Sequence, residues 1–495
     1  FVFVLEGELV LVTDAGEEFT FYPNDSQERL YNNRWYLNLI LKARQQGFST
    51  FIDLILLDQA LFNANKTCGI IADTRENATK LFRNKVKYPY DQLPLGLRIA
   101  RETESENTSE LIFNNGSSLS VGTSMRGGTV QLLHISEYGK ISAKFPDKAK
   151  EIKTGALNAV ALGQYVFVES TAEGKGGEFY EMTMTAQKAH EMVKAGTAKL
   201  TAMDFRFHFF AWWESPKYTL NPEGVAISTE MRAYFAELDV KHGIKLTPGQ
   251  QAWYVKKAAQ QGDDMKKEYP STWEEAFEVA LDGAYFGREI VAARAQGRIG
   301  KVPWVPSESV NTFWDLGSND TTSIWFHQKV GLHNRFIEYY EIAGRGMAHF
   351  ARQLQERDYI YGRHYLPHDA ENELQTDKEI AETRMEILER LHVRNIEAVP
   401  RVLDKQDGIE AVRNILPTCY FDEVGCGRLG DSSPGGLAAL ENYQHEWDER
   451  QACWRDKPRH NWASNGTDAF MGFAQTWLRP PSARLLFWWS SMARP

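Results

Sequence analysis

Cysteine is scarce in this chain: Cys68, Cys419, Cys426 and Cys453 are the only four in 495 residues. That excludes a disulfide-stapled scaffold, and with no CxxC pair it excludes a zinc ribbon. Cys419, Cys426 and Cys453 with His445 are too irregularly spaced for a metal set and read as free thiols. Long apolar runs are missing too. Nothing approaches the roughly 18 consecutive apolar residues of a transmembrane helix. No signal-peptide pattern is visible, so the reading expects a reducing cytoplasm. Phe1 in place of Met leaves room for residues ahead of it. An excess of basic charge is also lacking: 56 Lys and Arg against 66 Asp and Glu give a net charge of −10. A uniformly basic nucleic-acid coat is thereby excluded, whereas an enzyme that concentrates positive charge in one groove is not. What is present is ordinary globular composition, 43% hydrophobic and 25% charged. Disorder, collagen and coiled coil are ruled out for the chain as a whole. At roughly 100–200 residues per domain the length expects about two to four domains.

Residues 1–18 read as apolar runs around Glu6-Gly7, with a turn at Asp14-Ala15-Gly16. They look like a fragment of a cupin barrel without its HxH metal motif, and are set apart as extraneous. From residue 19 to 300 short apolar strands alternate with helices. A helix capped by Asp25 or Ser26 starts near Gln27, Tyr36–Leu41 is a strand and Ser49–Phe62 a buried helix. Cys68–Ala72, Leu132–Ile135 and Tyr165–Val168 are further strands. This order predicts an α/β parallel sheet, followed over residues 200–300 by an aromatic, helical stretch. Residues 301–309 (KVPWVPSES) carry two prolines and read as a linker. Over 310–480 a second pattern begins: strands at Val310–Trp314, Ser323–Gln328 and Arg335–Glu341, a helix at Met347–Arg357, then a strand at His364–His368. Three antiparallel strands, a helix and a parallel strand open an RNase H-like domain. Residues 481–495 stay unassigned.

The strand–loop–helix at 36–62 has the form of a phosphate-binding loop. Against GxxxxGK[ST], the window Lys42-Ala-Arg-Gln-Gln-Gly47-Phe48-Ser49 keeps Gly47 and Ser49 but places Phe48 where the lysine belongs. Such a site needs backbone N–H groups around phosphates, an ammonium near the β/γ oxygens and a hydroxyl on Mg²⁺. Lys42 supplies the ammonium from the loop's other end, Arg44 adds charge, Ser49 is the metal hydroxyl, and Thr50 follows it. Leu132–Glu137 (LLHISE) is a strand ending in an acid. Ser136 stands where a Walker B aspartate would be, and Glu137 is the candidate base that polarises water. Tyr165–Val168 runs into Glu169-Ser170-Thr171-Ala172, whose hydroxyls Ser170 and Thr171 suit sensing of the γ-phosphate.

Together these three segments resemble the displaced-lysine Walker A, Walker B and coupling motifs of tailed-phage terminase large subunits. The resemblance spans about residues 20–480. It implies a P-loop (ASCE-type) ATPase domain followed by an RNase H-like nuclease domain, with Gln27 placed to read adenine, where the residues alone equally allow a solvent-facing helix residue. Arg126-Gly127-Gly128 reads first as a turn and second as an arginine offered to a neighbouring subunit's ATP. In the second domain Asp315 ends the first strand, Asp369 the fourth, and Asp468 lies early in a helix. Carboxylates at such positions can converge on one or two Mg²⁺ or Mn²⁺ ions that activate water for phosphodiester cleavage. The order of the three matches the terminase nuclease, and Asp320 is an outer acid. Lys140, Lys144, Lys148, Lys150 and Lys153 read first as a solvated helix face and second as a DNA contact.

The resemblance implies ATP-driven translocation of double-stranded DNA into a procapsid and metal-dependent cutting of concatemers in the host cytoplasm. It brings with it a small terminase subunit, a portal protein and a homo-oligomeric ring. Phe48 and Ser136 suggest a rival, a nuclease with a degenerate ATPase half. The odd termini suggest another, an inactive prophage remnant.

Overall fold

The computed structural model describes residues 10–12, 18–125, 128–278, 283–317, 321–374, 382–399, 404–429, 433–448, 451 and 453–478. The chain divides into two units, Phe1–Val279 and Ala280–Pro495.

In the first unit a small antiparallel hairpin, β1 (Val10–Val12) with β2 (Glu18–Thr20), precedes the main sheet. Leu11 is buried in that unit's core and Phe21 stacks near Phe51, so the described part of the leading segment packs on the first unit. The helix that follows, Asp25–Asn32, is capped by Asn24 rather than by Asp25 or Ser26: Asn24 accepts from the Gln27 N–H in a reciprocal capping box. The sheet strands are β3 (Leu37–Lys42), β4 (Thr67–Ile71), β5 (Thr103–Glu106), β6 (Glu110–Phe113), β7 (Ser118–Gly122), β8 (Val130–Ser136), β9 (Val160–Ser170) and β10 (Phe205–Phe210). Their order is β10-β3-β9-β8-β4-β7-β6-β5. The first six are parallel, and the last two, β6 and β5, form an antiparallel flap. Placing the loop-bearing strand between β9 and β10, with β8 and β4 beyond, is the ASCE-type P-loop arrangement. β3 reads LNLILK because both of its faces are covered. The helix Phe48–Phe62 is apolar nearly all round because it is buried nearly all round. A block of helices and aromatics over 212–269, centred on Trp212, Tyr218, Phe235 and Tyr254, forms its own core with Ala43 of the loop.

The second unit starts earlier than the expected 301–309 linker. Tyr285, Phe286, Ile290 and Ala293 belong to its aromatic core, and β11 (Ile299–Gly300) is hydrogen-bonded into its sheet. The remaining strands are β12 (Val310–Asp315), β13 (Thr321–Val330), β14 (His333–Ala343), β15 (Tyr361–Pro367), a short hairpin β16 (Glu373–Leu374) and β17 (Glu382–Thr383), β18 (Ile396–Val399) and β19 (Cys419–Asp422). The sheet order is β11-β19-β14-β13-β12-β15-β18. β12, β13 and β14 are antiparallel in sequence, and β15 runs parallel to β12. This is the RNase H-like fold that the sequence predicts. The helix Ala463–Leu478 lies across β12, β13 and β15. Among the described residues no helix is long and apolar enough to cross a membrane.

Candidate nucleotide and metal sites

Parallel strands bring their C-terminal ends to one edge, where α/β sheets bind ligands. At that edge of the first unit lie Lys42, Ser136 and Ser170. The loop leaving Lys42 turns through Gln45 (φ 60°) and Gly47 (φ 77°). A Cβ at Gly47 would sit 2.7 Å from the Gln27 amide nitrogen, so this glycine is required both for its left-handed backbone and for space. Tyr218 Oη donates to the Arg44 carbonyl at 2.5 Å and Gln46 Nε2 to the Ala211 carbonyl at 2.8 Å, which ties the loop to the aromatic block.

Phe48 fills no phosphate role: it is 1% exposed and its ring lies 4.3 Å from that of Phe210. Lys42 is buried, with Nζ 3.3 Å from Glu137 Oε1 and 3.0 Å from Glu169 Oε2. Burial opposes its charge, but the two carboxylates more than reverse that and hold its pKa above the usual lysine value. Arg44 is exposed and paired with Glu268 at 3.1 Å. Ser49 Oγ donates to Glu169 Oε1 at 2.6 Å, and Thr50 is half-buried in the first turn of the same helix. Gln27 is buried, not solvent-facing. Its Nε2 donates to the Gly47 carbonyl at 2.9 Å and its Oε1 accepts from the Asn24 N–H, so its carboxamide is engaged on both sides.

Glu137 adopts left-handed backbone angles (φ 55°, ψ 43°) at the start of the next helix. For a non-glycine residue this costs of order 1–3 kcal/mol, a strain that clusters at functional sites. The turn aims its carboxylate between Lys42 and Lys140, the latter at 3.5 Å. Ser170 Oγ accepts from the Gly139 N–H at 2.9 Å, while Thr171 Oγ1 is buried without a hydrogen-bond partner. Ser49, Ser136 and Glu137 open onto a cavity of about 240 Å³ also lined by Asp73, Asn77 and Lys85. Of the lysine run, Lys148 donates to the Asp73 carbonyl and Lys153 pairs with Glu178, so neither is a free DNA contact.

Three participants escape the sequence reading. Glu169 is fully buried at the end of β9. His134 lies on β8 with Nδ1 2.7 Å from Asp53 Oδ1 and Nε2 3.5 Å from Glu169 Oε1. Burial alone lowers the His134 pKa, but Asp53 and Glu169 outweigh it and lift it to about 9. The signal available was a polar residue inside each apolar run: VFVES, LLHIS and FIDLIL.

In the second unit Asp315 ends β12, and Asp369 follows β15 by two residues. Because these strands are parallel, both acids sit at one edge. In register, Asp315 faces Ser323 and Ser323 faces Glu341 on β14, adding a carboxylate that sequence reading missed. Asp468 lies in the second turn of the helix Ala463–Leu478. Gly466 in the first turn carries no Cβ because Tyr339 Oη would lie 2.6 Å from it, and its carbonyl accepts from Trp325 Nε1 at 2.8 Å. Asp468 Oδ2 is held by Lys405 at 2.7 Å, and burial raises its pKa against that pairing. Asp369 Oδ1 and Asp468 Oδ1 are buried with no hydrogen-bond partner. Among the described residues no three His, Cys, Asp or Glu side chains converge as a ready metal cage. Lys405 stands as the counter-ion of Asp468. Carboxylate oxygens left orphaned in this way fit hard divalent cations such as Mg²⁺ or Mn²⁺. Cys419 and Cys426 are buried free thiols and Cys453 an exposed one. Asp320, Arg126-Gly127, the 14–16 turn and residues 481–495 lie outside the described residues.

No protein-family profile and no curated protein matches the chain. Solved structures do. Its structural neighbours are phage large terminases. The large terminase of the thermophilic bacteriophage D6E is 12% identical over 92% of this chain and 100% of that one, with a TM-score of 0.31. The ATPase domain of the Thermus phage P74-26 large terminase is 14% identical over 50% and 93% of the two chains (TM-score 0.31). The large terminase nuclease of thermophilic phage G20c, solved with bound cobalt, is 13% identical over 39% and 96% (TM-score 0.26). The D6E protein has also been solved with ATP-γ-S and with ADP. At such identities and TM-scores no residue role carries across from these neighbours.

Proposed function

We propose that this chain is a terminase large subunit. Its first unit hydrolyses ATP to drive double-stranded DNA into a procapsid, and its second unit cuts concatemeric DNA with divalent metal. The observation that carries the reading is the position of Lys42. A lysine at the end of the loop-bearing strand reaches the same edge as Ser49 and the strained Glu137, at 3.3 Å from the latter. A degenerate ATPase half has no reason to bury an ammonium and maintain a left-handed glutamate there.

In this reading Lys42 and Arg44 bind phosphates and the Gly47 loop donates its N–H groups. Ser49, with Thr50 beside it, takes the Mg²⁺ side, Gln27 borders the base, and Glu137 polarises water. Ser170 and Thr171 relay the phosphate state. Mg²⁺, when bound, neutralises phosphate charge. In the second unit Asp315, Asp369 and Asp468 would be the carboxylates that hold the metal, which would supply activation of water at the phosphodiester, and Lys405 stands beside Asp468 at 2.7 Å. A small terminase subunit, a portal protein and a homo-oligomeric ring are the partners this activity requires. The test is ATP turnover by the purified chain with linear duplex DNA, beside Glu137→Gln and Lys42→Ala. Both variants are expected to lose turnover by on the order of a hundredfold or more. Unchanged turnover in Lys42→Ala would mean that the lysine is structural. Asp315→Ala should abolish plasmid cutting with Mg²⁺ or Mn²⁺ and leave ATP turnover intact.

A further inference from the structure

The strand that should deliver a metal-side aspartate ends instead in Ser136, a hydroxyl that cannot balance a divalent cation. The register of the sheet shows what stands beside it: Ser136 is directly paired with Glu169 on β9. Ser136 Oγ donates to Glu169 Oε1 at 2.8 Å, and Ser49 Oγ reaches the same oxygen at 2.6 Å. Lys42 Nζ lies 3.0 Å from the other oxygen. A side chain two bonds longer than serine, one strand over, thus places its carboxylate against the Ser136 hydroxyl. We propose that Glu169 is the metal-side carboxylate of the nucleotide site, transposed from β8 to the neighbouring strand; the proposal rests on the ATPase reading above.

The surroundings fit this better than a purely structural ion pair. One lysine would satisfy a structural glutamate, and a buried pair contributes little net stability over an apolar replacement. Glu169 is instead met by two hydroxyls, one ammonium and, at 3.5 Å, the His134 imidazole. His134 is fixed from behind by the buried Asp53 at 2.7 Å. Hydroxyl and carboxylate oxygens are the donors that Mg²⁺ takes beside nucleotide phosphates, one or two protein ligands being enough. The hydroxyl that a P-loop offers to Mg²⁺ already rests on Glu169, so a cation meeting Ser49 meets this carboxylate as well. Asp53 and His134 are positioning residues that keep the carboxylate from rotating.

The test is Mn²⁺ affinity measured by electron paramagnetic resonance in the presence of a non-hydrolysable ATP analogue, with thermal unfolding followed in parallel. Glu169→Gln is expected to weaken Mn²⁺ by about 10–100-fold while the analogue still binds in EDTA. The swap Ser136→Asp with Glu169→Ser is expected to restore most of that affinity by returning the carboxylate to β8. Unchanged Mn²⁺ affinity in a folded Glu169→Gln protein would overturn the proposal and leave the ATPase reading standing. No binding of the Mn²⁺–analogue by the unsubstituted chain would overturn both. If Glu169→Gln does not fold, the swap decides. A swap that folds without binding Mn²⁺, or does not fold, assigns Glu169 a structural part only.

Discussion

At the scale of single residues, the departure from a standard phosphate-binding loop has a packing cause. Phe48 is a core side chain against Phe210, so the position next to Ser49 cannot carry a lysine without burying an ammonium in an apolar slot. Phe48→Lys is therefore expected to lower the melting temperature rather than rebuild the usual motif, and Phe48→Ala to cost about 3–5 kcal/mol; thermal unfolding checks the first and chemical denaturation the second. The position of Lys42 was legible in the sequence because a cation at the end of an apolar strand stands out. Glu169 was not, because its partners come from two other segments, at 42–49 and 134–136, that only strand register brings beside it.

At the scale of elements, close approach decides where the carboxylates go. The helix Ala463–Leu478 meets β13 and β14 through Gly466, where any Cβ would collide with Tyr339 Oη at 2.6 Å and Ala439 Cβ at 2.9 Å. Gly466→Ala is expected to lift the helix, cost about 1–3 kcal/mol and reduce DNA cutting through Asp468. A denaturation curve beside a plasmid-cleavage assay checks this, and normal cleavage in the destabilised variant would separate the helix from the nuclease site. The strands carrying Asp315 and Asp369 were predictable from their apolar runs. The pairing of Asp468 with Lys405 was not, since 63 residues separate them and only tertiary packing brings the two helices together.

Two predictions concern the whole molecule. Residues 283–300 supply core aromatics and an edge strand to the second unit. A fragment starting at residue 280 is therefore expected to be more stable than one starting at 301, measured by thermal unfolding of each. Acid stability follows from three buried imidazoles. Burial lowers His208 to about 3, His327 to about 3 and His364 to about 4, from an ordinary value near 6.5. Above about pH 6.5 both folded and unfolded chains leave them neutral. As pH falls from there toward 3–4 the unfolded chain takes protons that the folded chain refuses, so stability falls with acidification. His327→Gln should flatten that acid limb in denaturant midpoints taken across pH; an unaltered limb would mean that His327 is not among its causes.

The sequence by itself determined the two α/β patterns, the strands that end in Lys42 and Asp315, and the strands that lead into Glu137 and Asp369. These are local signals: apolar periodicity makes the strand, and a polar residue at its end marks the edge. The tertiary structure alone decided that the second unit begins before the proline-rich stretch and that Glu169 sits between Lys42, Ser49 and Ser136. It also decided that Asp468 is neutralised by Lys405. Each of these depends on which strands lie side by side, and hydrogen-bond register across a sheet is set by packing between segments far apart in the chain.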